Sequence, residues 1–221
     1  MTTVFQKEVG CAACGHRFVT EQVGSTNAFG SMDLDMRPPP MKRDTQPYDI
    51  QECPGCHFCA PEVESPPDGV DTAWVQNPGY RAVALDASTP ELPRRFLAFS
   101  FLAKLGNNES ANAWANLNAA WAFDDLGSFW DTRAAACRIA VEQIVRYLHS
   151  CEMTFSENRE TDQILCLDLL RRAGRFEEAE AAASELMASA TSDILRSIAT
   201  FQRSCAKERD AGCHRVDEAV G

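Results

Sequence analysis

The sequence predicts a mainly α protein, in which a bundle of antiparallel helical hairpins follows a small N-terminal β domain. From about Ser88 onward, apolar residues recur at helical spacing in segments separated by glycines. Residues 1–60 instead hold five of the ten cysteines and the turn-forming residues typical of a small, loop-rich domain. We therefore expect an N-terminal domain at 1–62, a connector at 63–87 and a helical domain at 88–221.

The helical domain opens with a helix-start signal, in which Ser88 precedes Pro90 and Glu91. This helix is expected to end at Gly106, because glycine commonly follows the last helical turn. Further helices are predicted at residues 109–125, 129–149, 159–173, 176–190 and 192–208. The connections between them are short, which favours antiparallel neighbours.

Composition and charge argue against several classes of protein. No run of 18 apolar residues is present, so we expect no membrane span. The N-terminus lacks a basic region followed by an apolar stretch, so we expect no secretion signal and a cytoplasmic location. In that compartment the ten cysteines are expected to be reduced, metal-bound or buried. The net charge of −11 has no local basic stripe to offset it, which disfavours nucleic acid as a partner.

Two C-x-x-C motifs carry the strongest chemical signal. We call Cys11–Cys14 the first knuckle and Cys53–Cys56 the second; 38 residues separate them. A two-residue spacing lets a tight turn aim both sulfurs at one metal, and two such turns complete the tetrahedral S₄ shell of structural zinc. A single motif would leave a redox dithiol open, whereas two in a short segment favour zinc. The predicted ligands are Cys11, Cys14, Cys53 and Cys56. His57 or Cys59 could substitute as a ligand, and His16 is also nearby.

Residues 32–37 lie between the knuckles and alternate in polarity, which predicts a short strand. One face would carry the apolar Met32, Leu34 and Met36, and the other face would carry Asp33, Asp35 and Arg37. We favour a half-buried strand whose acids pair with Arg37. A polar recognition edge, or a second cation held by oxygen ligands, is the functional alternative.

The N-terminal part also resembles a known family. The run from Ser25 to Pro38, followed by Tyr48 and the second knuckle, is similar to an uncharacterised prokaryotic zinc-ribbon family catalogued only as a domain of unknown function. The resemblance extends over residues 8–62 and loosely beyond them. It implies two zinc knuckles ahead of helices, but no reaction. His57 stands where that family usually has a glycine, so any departure is expected in that turn and not in the ligand set.

Residues 163–183 resemble a tetratricopeptide unit. Leu167 and Leu170 would lie on the first helix, and Gly174 would close the turn. The second helix would use Phe176, Ala179 and Ala183 as its inner face. The spacing of Trp114, Leu117 and Trp121 repeats part of the first-helix pattern. The resemblance implies a concave peptide-binding groove, but an ordinary helical bundle with these residues in its core explains the pattern equally well.

No residue set indicates catalysis, because the nucleophile-elbow, P-loop, dinucleotide-binding and H-E-x-x-H patterns are all missing. This lowers the expectation of an enzyme without excluding one. We favour a non-enzymatic protein-interaction module with a helical binding surface, whose acidity suits a basic protein or peptide partner. The alternative is a redox- or metal-responsive regulator that uses Cys59 or Cys213. A second metal or redox site could involve Cys205, Cys213 and His214, whereas Cys137, Cys151 and Cys166 are expected to pack in the core.

Overall fold

A computed structural model describes residues 1–127, 134–136, 139–140, 142–144, 154–156 and 158–221. The strands are β1 Thr3–Gly10, β2 Arg17–Ser25, β3 Gln51–Glu52 and β4 Cys59–Ala60. They form two antiparallel pairs, β1 with β2 and β3 with β4. The α-helices whose bounds the structure describes are α1 Pro78–Ala84, α2 Glu91–Leu105, α3 Glu109–Asp124, α4 Arg159–Arg172, α5 Phe176–Ser189, α6 Asp193–Lys207 and α7 Val216–Val220. The fold is therefore mainly α with a small N-terminal β part, as the sequence predicts.

Helices α2 to α6 confirm five of the predicted helices to within a few residues, because capping residues and glycines fix their ends. The side chains of Asn108, Asn158 and Ser192 each accept a hydrogen bond from a first-turn N–H of α3, α4 and α6. Gly174 adopts a φ of 77° in the turn between α4 and α5. The predicted helix at 129–149 lies largely outside the described residues.

The start of α2 differs from the prediction. Ser88 does not cap the helix; its hydroxyl donates to Asp86 Oδ1 at 2.6 Å, and Thr89 donates to the same carboxylate. The helix instead begins at Glu91, directly after Pro90. Proline has no N–H and disfavours helical backbone in the residue before it, so the polar turn ends ahead of the helix.

Two regions hold structure that the sequence pattern did not reveal. The connector contains a 3₁₀ helix, Thr72–Gln76, and the short helix α1. The β1–β2 hairpin leaves much of both its faces in solvent, and Val4, Phe5 and Val19 remain 40–60% exposed. Because solvent contacts so much of both faces, the hairpin lacks the clean alternation of a half-buried strand.

Side chains of the N-terminal part and of the helices up to α4 share the main hydrophobic core. Val9, Cys11 and Phe58 of the N-terminal part are buried in the same cluster as Phe96 of α2 and Leu169 of α4. A smaller cluster lies among α4, α5 and α6 and contains Leu167, Ala179, Ala183, Leu186, Ala199 and Ala206. Small alanines there let neighbouring helices approach closely. Phe176, expected on the inner face of the second helix, is only half-buried, and its ring lies under the Arg209 guanidinium.

Candidate metal centre

Each knuckle forms the loop of a β-hairpin. The first connects β1 to β2, and the second connects β3 to β4. In the first, the Cys11 N–H donates to His16 O (2.9 Å) and the Gly15 N–H donates to Cys11 O (2.8 Å). In the second, the Cys53 N–H donates to Phe58 O (2.9 Å) and the His57 N–H donates to Cys53 O (2.8 Å). The two turns therefore share one backbone conformation, although their sequences differ.

The four predicted ligands converge on one point. The sulfurs of Cys11, Cys14, Cys53 and Cys56 all lie within 4.8 Å of one another. The Cys11–Cys56 sulfur distance is 3.7 Å, and the Cys14–Cys53 distance is 3.6 Å. Zinc–sulfur bonds of about 2.3 Å at tetrahedral angles would separate the sulfurs by about 3.8 Å. Four cysteines at this spacing could hold a metal ion.

Burial and backbone hydrogen bonds act on these thiols in opposite directions. Burial raises the pKa of Cys11 and of Cys56, which favours the protonated thiol when no metal is bound. A hydrogen bond from the His16 N–H to the exposed Cys14 lowers the pKa of that thiol. Backbone N–H groups also reach the Cys11 and Cys56 sulfurs. These donors favour the thiolate, which is the metal-binding form.

His57 keeps the glycine-like turn conformation. Its φ is 61°, close to the 74° of Gly15 at the equivalent position of the first knuckle. Histidine is among the residues that tolerate this left-handed region better than most side chains. The Nδ1 of its ring lies 2.7 Å from Glu52 Oε1. The departure from the family pattern therefore leaves the turn unchanged.

The other nearby candidates do not join the sulfur cluster. Among the described residues, that group contains neither Cys59 nor either histidine of the knuckles. Cys59 is 1% exposed, its thiol donates to His57 O at 3.5 Å, and burial raises its pKa to about 12. Tyr80 of α1 holds this segment in place: its hydroxyl donates to His57 O (2.6 Å) and accepts from the Cys59 N–H (3.0 Å).

The strand predicted at residues 32–37 is wrong. Leu34 and Asp35 form a turn, Met36 has a φ of 68°, and Asp33 makes only an isolated bridge to Arg215. Met32 is 48% exposed, whereas Asp33 is buried. A left-handed residue breaks the two-residue alternation on which the prediction depended.

Asp35 lies at the centre of a buried charge cluster. Its Oδ2 accepts hydrogen bonds from Arg172 Nη1 of α4 and from the Trp121 indole of α3, the latter at 2.8 Å. Its Oδ1 accepts from the Arg37 N–H at 3.2 Å. Neither Asp35 nor Arg172 exposes any of its side chain. A cation held by Asp35 is therefore not favoured, because a guanidinium already compensates the carboxylate.

Asp33 and Arg37 also find partners outside their own segment. Asp33 Oδ2 accepts from Arg43 Nη2 at 2.7 Å and from the Cys213 thiol at 3.2 Å. Arg37 forms an ion pair with Asp125, with 2.5 Å between Arg37 Nη2 and Asp125 Oδ2. Asp33 and Arg37 are each 2% exposed. The burial of both acids was not expected for the polar face of a half-buried strand, and their pairing with the Arg37 side chain and the polar recognition edge are both wrong.

The sequence reasoning missed Arg172, Trp121 and Tyr80, which connect the N-terminal part to the helices. One signal was available for Arg172. Arg171 and Arg172 follow Leu169 and Leu170, so at least one arginine had to approach the apolar side of the helix. Both are fully buried, and buried arginines require carboxylate or carbonyl partners.

The remaining cysteines have separate environments. Cys205 lies with Asp210 and His214, and Cys213 lies against Asp33. Burial raises the pKa of Cys166, on α4, to about 12, which agrees with its predicted packing role. Cys137 and Cys151 lie outside the described residues.

Comparisons with protein-family models, with curated proteins and with solved structures find no match for this chain. Within the described ranges, no helix is both long and apolar enough to cross a membrane.

Proposed function

We propose that the chain is a non-enzymatic interaction protein, in which one structural zinc ion holds the N-terminal part and the helices present a surface to a partner. The convergence of four cysteine sulfurs from two matching turns carries this proposal. Thiolate donors select soft or borderline ions, and an S₄ shell is the usual environment of structural zinc. Four protein ligands leave no open position for an activated water, which supports a structural role.

The partner surface that we propose is the outer face of α5. Its inner face buries Ala179, Ala183 and Leu186. Glu178 and Glu185 are seven residues apart and therefore lie on one side of the helix, where both are exposed. Among the described residues, Glu180 and Glu185 make no ion pair, whereas Glu178 pairs with Arg175. Two glutamates of this helix without an ion pair suit a segment rich in lysine or arginine.

The redox-regulator alternative has less support. Burial raises the pKa of Cys213 to about 12, and Cys59 has a similar value. A thiolate is the reactive form of cysteine, so both thiols would be almost wholly protonated near neutral pH. A redox sensor typically needs an accessible thiol of low pKa.

Elemental analysis tests the metal. Protein purified without chelator should contain about one tightly held zinc per chain, and Cys53→Ser should abolish its retention. Cys166→Ser is the matched control, because this cysteine lies outside the sulfur cluster. Folded wild-type protein that holds no zinc, and takes up none from excess zinc in solution, would contradict the metal assignment.

A binding isotherm with a lysine-rich peptide tests the surface. Glu180→Lys with Glu185→Lys should weaken binding several-fold at low salt and less at high salt, because exposed charges are screened. Glu21→Lys with Glu62→Lys places the same charge change on two exposed residues of the N-terminal part and should have a smaller effect. Equal weakening by both sets of changes would reject α5 as the surface and indicate only a response to net charge.

A further inference from the structure

A second cluster of metal-ligating side chains lies at the C-terminal end of α6. A sulfur of Cys205, a carboxylate oxygen of Asp210 and a ring nitrogen of His214 lie within 4.8 Å of one another. No residue of this group belongs to the first cluster. We infer that Cys205, Asp210 and His214 form a second zinc site, with three protein ligands and an open fourth position.

The histidine is already oriented for such a role. Its Nδ1 lies 3.1 Å from Glu218 Oε2, and its Nε2 lies 2.7 Å from Asp210 Oδ2. A ligating histidine usually donates its other ring N–H to a carboxylate or carbonyl, which fixes the tautomer and aims the ring. Glu218 occupies that supporting position. The ring also packs edge-on against Phe201, with 5.2 Å between centroids, and this contact restricts its rotation.

The Asp210 carboxylate is also oriented by a hydrogen bond. Asp210 Oδ1 accepts the Gly212 N–H at 2.6 Å, so Oδ2 is the atom that faces the histidine. The buried Arg171 side chain fixes the surrounding loop, because its Nη1 donates to Asp210 O (2.7 Å) and to Gly212 O (2.8 Å). Each of these two ligands therefore has its own supporting hydrogen bond.

The donor set indicates which ion would bind. One thiolate, one imidazole and one carboxylate suit a borderline divalent transition ion, whereas magnesium and calcium prefer oxygen ligands alone. Tetrahedral zinc separates its nitrogen and oxygen ligands by about 3.3 Å. The Asp210–His214 pair would therefore open by about 0.6 Å on binding. Any proton on Nε2, and that of the thiol, would leave to solvent.

The second site also differs from the first cluster in the solvent exposure of its ligands and in its expected affinity for zinc. Cys205 is 7% exposed, but the side chains of His214 and Asp210 remain 20% and 38% exposed, so the ion can enter from solvent. Three ligands with one thiolate should bind zinc more weakly than four thiolates. The occupied site would fasten residues 210–214 to α6. The same segment pairs with the N-terminal part, because the Leu34 N–H donates to His214 O at 2.8 Å.

Cobalt titration tests this site on the full chain. Protein with one zinc per chain should bind one further Co²⁺ with a sulfur-to-cobalt charge-transfer band, while elemental analysis shows that the first zinc stays in place. Cys205→Ser should remove the band, and Asp210→Asn and His214→Gln should each weaken cobalt binding at least tenfold. Glu218→Gln should weaken it about tenfold, through the histidine.

Cys213→Ser is the matched control, because this neighbouring thiol contacts Asp33 and should not affect cobalt binding. Melting curves without cobalt show whether each variant is folded, and the isosteric Asp210→Asn keeps the test valid if a larger change unfolds the loop. Wild-type protein that binds no second ion would overturn the inference. So would cobalt binding that persists unchanged in Cys205→Ser and His214→Gln, in which case the histidine serves only as a hydrogen-bond partner of the two acids.

Discussion

Asp35 and Arg172, 137 residues apart in the sequence, form an ion pair that is closed off from solvent. The pair connects the turn between the two knuckles to the last turn of α4. A buried pair is a weak source of net stability, but breaking it by removing one partner leaves an uncompensated charge. The two residues therefore depend strongly on each other.

Removal of either partner should destabilise the fold. We expect Asp35→Ala or Arg172→Met to lower the free energy of unfolding by about 3–5 kcal/mol, as measured by urea denaturation. Asp35→Leu combined with Arg172→Met should lose less than the sum of the single changes, because neither member of the pair then remains without the other. Arg172 also pairs with Asp124, and that contact is lost equally in the single and the double Arg172 variants. Arg196→Gln is the control: it breaks an exposed pair with Asp193 and should cost about 1 kcal/mol or less. A cost for Asp35→Ala no larger than this would contradict the role of the pair.

The φ of 61° at His57 predicts that glycine at this position gives a more stable second knuckle than valine. His57→Val should destabilise the second knuckle by about 1–3 kcal/mol, because a β-branched residue is strained there. His57→Gly should remain close to wild type, since glycine adopts this backbone freely. Melting temperature and zinc competition with a colorimetric chelator measure the effect. His57→Asn is the control, because asparagine tolerates left-handed backbone but lacks the ring that contacts Glu52. Equal effects of valine and glycine would contradict the conformational argument.

The raised pKa of Cys166, about 12 against an ordinary 9.0, predicts a loss of stability in alkali. A thiol whose folded pKa is raised stabilises the fold fully below its unfolded pKa and loses that contribution as the pH rises. The window is therefore from about pH 9 to about pH 12. Cys166→Ala should flatten the decline of unfolding free energy in that window, as measured by denaturation at several pH values. Ser184→Ala, an exposed change on α5, should leave the slope of unfolding free energy against pH unchanged. A slope in Cys166→Ala identical to that of the wild type would refute the assignment.

The packing of α5 predicts opposite outcomes for two neighbouring alanines. Ala179 is fully buried, so Ala179→Trp should overpack the helices and cost about 1–3 kcal/mol or more. Ala181 is exposed on the same helix, so Ala181→Trp should change stability by less than about 0.5 kcal/mol. Thermal melting of the two variants makes the comparison, and similar melting temperatures would show that α5 is not packed as described.

Local signals explain what could be predicted from the sequence. The ends of α3 to α6 follow from capping side chains and from Gly174, all of which act within a few residues. The sulfur cluster follows from two-residue spacings, because such a turn determines where both of its side chains point. Each of these features is encoded next to the residues that it controls.

The features that were missed depend on contacts between distant parts of the chain. Asp33, Asp35 and Arg37 have the alternating pattern of a strand, and their burial depends on Arg43, Arg172 and Asp125. The spacing of apolar and polar residues in the sequence does not indicate those partners. The sequence predicts a small N-terminal β part but does not locate strands β1 and β2, since solvent contacts much of both faces of this hairpin and no apolar alternation is required.

The hydroxyl of Tyr80 has a consequence for the order of events during synthesis. The Cys59 N–H and the His57 carbonyl both form hydrogen bonds with this hydroxyl. The second knuckle therefore leaves the ribosome before Tyr80 does, at a stage when these two backbone groups cannot yet form their hydrogen bonds. Asp35 forms its ion pair later still, after Arg172 has left the ribosome. Nascent chains whose exposed part ends before Tyr80, between α1 and α4, or after α4 should therefore show stepwise increases in protease protection of the knuckles. The N-terminal part should reach full protection only when α4 is exposed.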